Sequence, residues 1–211
     1  NRAFWMSFKG TMIVAFFCAF LAGTMGLLIG YSVSKHRRNK FANYVNDIAF
    51  LPYLLPSLAV GIAFFIFGSM LGIYDTFLLL IIVGTIKYIP FSSRSSLNSM
   101  LQISNEIEES ALIQDTPWHK RMTRIIIPIQ KTAILSGYLL PFITCVRELT
   151  LFMLLCSQSK ISTTMLDYYD EMGLYAFSSA INLILIIFIL AVNFGLNKLT
   201  KAGINTGVGG Q

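Results

Sequence analysis

"EESALIQDTPWHKRMTRIIIPIQK" occupies residues 108–131 and is the most charged stretch of a chain that is otherwise mostly apolar. Hydrophobic residues make up 55% of the 211 and charged residues 12%, against about 25% charged residues in a soluble domain. The composition is that of a membrane protein. The polar segment must then be a loop between spans, and its reading decides how the apolar segments on either side are arranged.

A bilayer core about 30 Å thick calls for roughly 20 mostly apolar residues per helix. Residues 11–33 and 48–71 meet that length, and 181–196, extended by 176–180, form a clear last span. Residues 77–89 are fewer and borrow length from Asp75, Thr76 and a snorkelling Lys87. Residues 132–156 are long enough but carry Arg147 and Glu148. The expectation is an all-α polytopic bundle of about five transmembrane helices, with the polar loop between the third and fourth. The first span is no cleaved signal peptide, because its apolar part is too long and no small-residue cleavage site leads into a soluble domain.

Lys35, Arg37, Arg38 and Lys40 follow the first span. Arg94, Lys120, Arg121, Arg124 and Lys131 lie between the third and fourth, and Lys198 and Lys201 follow the fifth. If five helices alternate, all three groups fall on one side, which the excess of Lys and Arg marks as cytoplasmic. The N-terminal end is therefore expected outside and the C-terminal end inside. The net charge of +6 reflects this topology and is no footprint of a nucleic-acid partner.

Cys18, Cys145 and Cys156 sit in apolar surroundings without CxxC spacing, as packed thiols do. His36 and His119 lack the second ligand at i+4 that a helical metal site needs, and no Walker A loop, GxSxG elbow or HExxH occurs. No catalytic residue, bound cofactor or metal site is expected. Ala22, Gly26 and Gly30, four apart, offer a face on which another helix can approach closely. Pro52 and Pro56 predict a kink in the first turns of the second span.

The central segment lies in a loop of roughly 40 residues, a length that marks function or disorder. Asn105 with Glu108 three residues on resembles a capping box, and Glu106, Glu108 and Glu109 suit the positive end of the helix they would start. That helix runs to the interruption at Thr116 and Pro117. A second, basic helix over 118–127 ends near Pro128. Ala111, Leu112 and Ile113 flanked by charges can sit in a groove of a partner protein, while Lys120, Arg121 and Arg124 equally suit lipid headgroups.

The stretch resembles the signature loop of permease subunits in binding-protein-dependent ABC importers. That pattern is Glu-Ala-Ala, three residues, Gly, nine residues, then Ile, any residue, Leu and Pro. Glu109, Ser110 and Ala111 take the opening places, Asp115 stands at the Gly place, Ile125 and Ile127 take the Ile and Leu places, and Pro128 closes it. The departures are Ser110, Asp115 and Ile127. Asp enters a left-handed turn less cheaply than Gly, so the bend at Asp115 is the one in question.

In that family the loop is a coupling helix docked in a cleft of a cytoplasmic ATPase. The resemblance implies that Glu109 meets a basic group there, that Ala111 and Leu112 fit its groove, and that closing of the ATPase dimer on ATP is passed to the spans. It implies ATP and magnesium on that partner, an extracytoplasmic solute-binding protein, and a second permease core, fused or as a homodimer. It also implies a place in the bacterial cytoplasmic (inner) membrane. The stretch from Asn1, "NRAFWMSFKGTMIVAF", resembles the start of the family's core, and the core as a whole is similar to that of methionine and maltose importers. "FITCVRELTLFMLL", from Phe142, is similar to a segment of ferric-iron permeases in which an Arg-Glu pair precedes a small residue and a Leu run.

At about 1.5 Å rise per residue, Arg147 lies roughly 22 Å beyond Thr132, near the outer end of a continuous span. Arg147 and Glu148, costly inside a span, would line the outer pathway or bind a neighbouring helix. Adjacent helical residues point about 100° apart, so they are not expected to pair with each other.

Residues 1–200 are expected to form one permease domain, the C-terminal core of a longer permease, and 201–211 a flexible cytoplasmic tail. The function expected is ATP-driven import with ferric iron as substrate. Permeases for polyamines, thiosulfate or phosphonate share the core. A secondary transporter would show midplane charges in repeated segments, and no repeat is found.

Overall fold

A computed structural model describes residues 2–36, 39–157 and 160–204, and all regular structure among them is helical. Helix α1 (Arg2–Lys35) is followed by α2 (Lys40–Leu54), α3 (Ser57–Met70) and α4 (Phe77–Met100). The loop holds α5 (Asn105–Ile113), α6 (Trp118–Arg121), a π turn (Met122–Ile126) and α7 (Ile127–Ile129). Then come α8 (Lys131–Val146), α9 (Thr150–Met153), α10 (Ser162–Glu171) and α11 (Tyr175–Ile204). Helices α1, α4 and α11 over Tyr175–Gly195 are long and apolar enough to cross a membrane, and two broken helix pairs raise the number to five if each is one span.

The breaks follow from proline chemistry. The second span is interrupted at Leu55 and Pro56 in its middle, where a kink in its first turns was expected, while Pro52 lies inside α2. Pro56 has no N–H to give the Pro52 carbonyl, and it forces Leu55 into an extended conformation (φ −85°, ψ 132°). The Lys87 ammonium fills the gap. It donates to the Pro52 carbonyl at 3.2 Å and to the Leu55 carbonyl at 2.6 Å. A lysine expected to snorkel instead caps a broken helix end.

The third span is longer than hydropathy indicated, because α4 continues through Pro90 and a serine-rich stretch to Met100. Those serines are not stranded. Ser92 donates to the Gly137 carbonyl at 2.6 Å, and Ser99 to the Ser96 carbonyl at 3.0 Å. Their small size lets α1 press against them. A Cβ on Gly26 would stand 2.4 Å from the Ser92 Cβ, and one on Gly30 2.6 Å from the Leu97 amide nitrogen. The small-residue face read from α1 is thus a tight backbone contact with α4.

The described residues form two compact units. One draws on segments 1–17, 56–84 and 143–211, with Val14, Leu79, Leu80, Val83, Leu151, Phe152 and Leu155 fully buried. In it Thr11 accepts a hydrogen bond from the Ser162 amide at 2.8 Å, and Asp75 pairs with Lys160 at 3.0 Å. The other draws on segments 18–55 and 85–142, around Leu27, Tyr31, Met100, Met122, Ile126 and Ile134. Helix α11 includes residues 201–204 of the expected tail, and 205–211 lie outside the described residues.

Candidate functional site

Helix α5 starts after Ser104, whose backbone is extended and whose side chain makes no cap bond. Asn105 is the first helical residue and not the N-cap, and its side chain, on which the expected capping box depends, lies outside the described residues. Glu108 is engaged elsewhere by stronger partners. It is 7% exposed; the Tyr31 hydroxyl donates to its Oε1, Lys35 Nζ stands 2.6 Å from its Oε2, and Arg121 Nη1 lies 4.0 Å from Oε1. Burial pushes the carboxyl pKa up, but the hydrogen bonds from Lys35 and Tyr31 and the charges of Lys35 and Arg121 outweigh it. They hold the pKa below the ordinary 4.5. A buried carboxylate paired this way is stabilised only while all its partners stay in place.

The opposite face of α5 is open. Glu109 and Ser110 are exposed, with the Ser110 hydroxyl turned back to the Ile107 carbonyl at 2.9 Å. Ala111, expected to enter a partner's groove, is instead 6% exposed and packs into its own unit. Leu112 is 52% and Ile113 85% exposed, so Ile113 takes the outward place that the sequence assigned to Ala111. Of the two residues expected in a partner's groove, Ala111 thus faces its own unit and Leu112 stands exposed.

Asp115 takes the left-handed conformation that a Gly adopts at lower cost. Asp115 has φ +50°, its amide donates to the Leu112 carbonyl at 2.9 Å, and the Thr116 amide donates to the Ala111 carbonyl at 3.1 Å. This pair of bonds is the Schellman ending that usually places Gly at this position. Beyond it, Trp118–Ile129 and α8 meet at an angle of 86°. The Ile127 amide reaches back five residues to the Met122 carbonyl, giving a π turn just before Pro128, which cannot donate. Helical structure therefore runs past Pro128 to Ile129. Met122 and Ile126 fill the core with Ile127 packed against it, Ile125 is half-buried, and Pro128 is exposed.

Tyr31, Lys35, His36, Glu108, Glu109, Leu112 and Arg121 line a cavity of about 380 Å³. Of these the sequence singled out Glu109 and Leu112 as site residues. Tyr31 lies 77 residues from Glu108 along the chain, and no local pattern announces such a contact.

Arg147 and Glu148 do not lie within a helix. Helix α8 ends at Val146 and α9 begins at Thr150, so no helical geometry sets the two side chains about 100° apart. Glu148 Oε1 accepts from the Leu151 amide at 3.1 Å at the start of α9, and its carbonyl accepts from the Thr163 hydroxyl at 2.9 Å. Arg147 is exposed at the edge of a cavity of about 420 Å³ shared with Thr163, Asn182 and Leu185. Among the described residues, no group of three or more His, Cys, Asp or Glu could hold a metal ion.

Residues 22–202 match the sequence profile of a family described as the binding-protein-dependent transport system inner membrane component. The chain belongs to that family. It is thus an inner membrane component of a binding-protein-dependent transport system, a multi-pass permease. The ferric transport system permease protein FbpB of Actinobacillus pleuropneumoniae is 23% identical over 191 residues, which are 89% of this chain and 28% of that protein. The inner membrane ABC transporter permease protein YcjP of Escherichia coli K12 is 24% identical over 135 residues, 64% of this chain and 48% of that one. The permease thus spans about a quarter to a half of the length of these relatives. In fold it is similar to a chain of the inward-facing MetNI methionine ABC transporter, with a TM-score of 0.76 at 17% identity over 95% of this chain and 94% of that one. It is likewise similar to a chain of a bacterial ABC transporter that imports the acidic polysaccharide alginate, with a TM-score of 0.78 at 15% identity over 96% and 80%.

Proposed function

We propose that this permease moves its substrate inward under the drive of a separate cytoplasmic ATPase dimer, which holds the ATP and magnesium and receives helix α5. The observation that carries this reading is the division of α5 into two faces. Glu108 and Ala111 are buried behind it, and Glu109, Leu112 and Ile113 stand exposed in front. A short helix fixed from behind, with an apolar tip and the exposed acids Glu106 and Glu109, fits a groove that carries complementary cations. An extracytoplasmic binding protein delivers substrate at the opposite side, and a second permease core completes the path. The Lys and Arg distribution supports an N-terminal end outside and a C-terminal end in the cytoplasm. Arg147 and Glu148 belong to the outer part of the path in this reading. Ferric iron is the substrate favoured, on the strength of the FbpB relatives.

The test is co-purification from native membrane of the unmodified permease and of Glu109→Arg. An ATPase recovered with the first and lost with the second supports the reading. No ATPase with either makes the loop a membrane-surface element. Uptake of radiolabelled ferric iron by the reconstituted complex with its binding protein tests the substrate, and absence of uptake beside normal ATP hydrolysis would exclude iron.

A further inference from the structure

The loop is joined by the chain to α4 and α8, so the simplest expectation is that a push on α5 reaches those two helices through the backbone. The side chains indicate another route. Among the hydrogen bonds and ion pairs of Glu108 with described residues, none falls on α4 or α8: Tyr31 and Lys35 lie on the last turns of α1, and Arg121 on α6. Trp118, the first residue of α6, sets its ring edge-on to Tyr31 with centroids 6.3 Å apart. Helix α5 and the segment after it thus both hold the same end of α1. The link at Glu108 is short, charged and largely shielded from water, and such a link transmits displacement better than an exposed pair that can let go. Helix α1 in turn meets α4 backbone to backbone at Gly26 and Gly30, where close-packed atoms leave no slack.

We infer that Glu108 is a positioning residue that ties α5 to α1 through Tyr31 and Lys35, so that movement imposed on α5 is delivered first to α1. This inference rests on the docking of α5 to an ATPase set out above. It assigns Glu108 a different task from its neighbour. Glu109 contacts the partner, and Glu108 carries what the partner does into the permease.

The experiment uses the assembled importer, permease with ATPase and binding protein, in liposomes. Two quantities are measured for the unmodified chain, Glu108→Gln, Lys35→Met and Tyr31→Phe: the ATPase that co-purifies, and the ratio of ATP hydrolysis with and without the binding protein. The expected result is an ATPase still bound and a ratio reduced roughly tenfold in Glu108→Gln, within the usual span of site-to-site coupling. Lys35→Met should give the same signature. The double variant should be no worse than either alone, as expected of residues acting through one link. A residue serving only to stabilise the fold would lower the amount of complex and leave the ratio of the surviving complex unchanged. That outcome overturns the inference, as does a full ratio in Glu108→Gln with the ATPase bound. Should Glu108→Gln fail to assemble, Lys35→Met and Tyr31→Phe decide by the same criterion, because both leave the carboxylate in place. If the unmodified permease retains no ATPase, the docking itself is wrong and the inference falls with it.

Discussion

Glu108 and Glu148 are both carboxylates placed near the start of a helix, and the structure uses them in opposite ways. Glu148 bonds the amide of Leu151, three residues on, and so caps the short helix α9. Glu108 has a first-turn position in α5 but reaches away from it. Its oxygens go to Tyr31, Lys35 and Arg121, drawn from two other helices. A helix N-terminus attracts any carboxylate by a modest amount, whereas a buried carboxylate among two cations and a phenol is held by several charge-assisted bonds at once. Where strong partners are within reach, the local cap loses.

The sharpest way to break this comparison is to truncate both residues. Glu108→Ala removes the shared partner of Lys35 and Arg121 and should destabilise the permease by about 3 kcal/mol, at the low end of the range for buried pairs because the group borders an open cavity. Chemical unfolding of the purified protein in detergent measures it. Glu148→Ala should cost about 1 kcal/mol, the usual worth of a cap. Equal losses would show that the contacts of Glu108 are no stronger than a local bond.

Asp115 sharpens the same point from the other end of α5. Its φ of +50° matches the +74° of Gly173, which closes α10 with an equivalent pair of bonds from Gly173 to Asp170 and from Leu174 to Tyr169. Asp115→Gly should therefore stabilise by up to about 1 kcal/mol and Gly173→Asp destabilise by a similar amount, since the left-handed conformation costs a side chain about that much. Thermal melts of the two variants check the opposite signs.

The smallest effect is that of pH. Because the folded pKa of Glu108 lies below its ordinary 4.5, the carboxylate's contribution is fully present above that value. It is lost as pH falls through the folded pKa, when protonation releases Lys35 and Arg121. Stability followed from pH 7 downward should drop less in Glu108→Gln than in the unmodified protein in that acid window. His36 shares the cavity, so the comparison with Glu108→Gln isolates the carboxylate.

What could be read in the sequence was local or periodic. The spacing from Glu109 to Pro128 located the bend at Asp115, and Gly26 and Gly30 marked a close helix contact because only missing side chains permit one. The apolar segments gave three spans outright and five if each broken pair is one, the fourth of which draws on 118–146 where 132–156 is expected. What could not be read depended on distant partners. The end of α8 at Val146 carries no Gly or Pro at the break, and Pro141, the obvious breaker, lies inside the helix. The length of α4 was underestimated because hydropathy treats serine as polar, whereas Ser92 buries its hydroxyl on the Gly137 carbonyl 45 residues away. Glu108 reads as a capping residue for the same reason: its partners Tyr31 and Lys35 meet it only once α1 is folded against the loop.

The central claim is that the exposed face of α5 meets an ATPase while its other face is held by the permease itself. Photo-cross-linking in native membrane from positions 113 and 111 tests it most directly. The account predicts that a photoreactive group replacing Ile113 labels an ATPase and that one replacing Ala111 labels only the permease. Labelling of lipid alone from position 113 would contradict it and place α5 on the membrane surface.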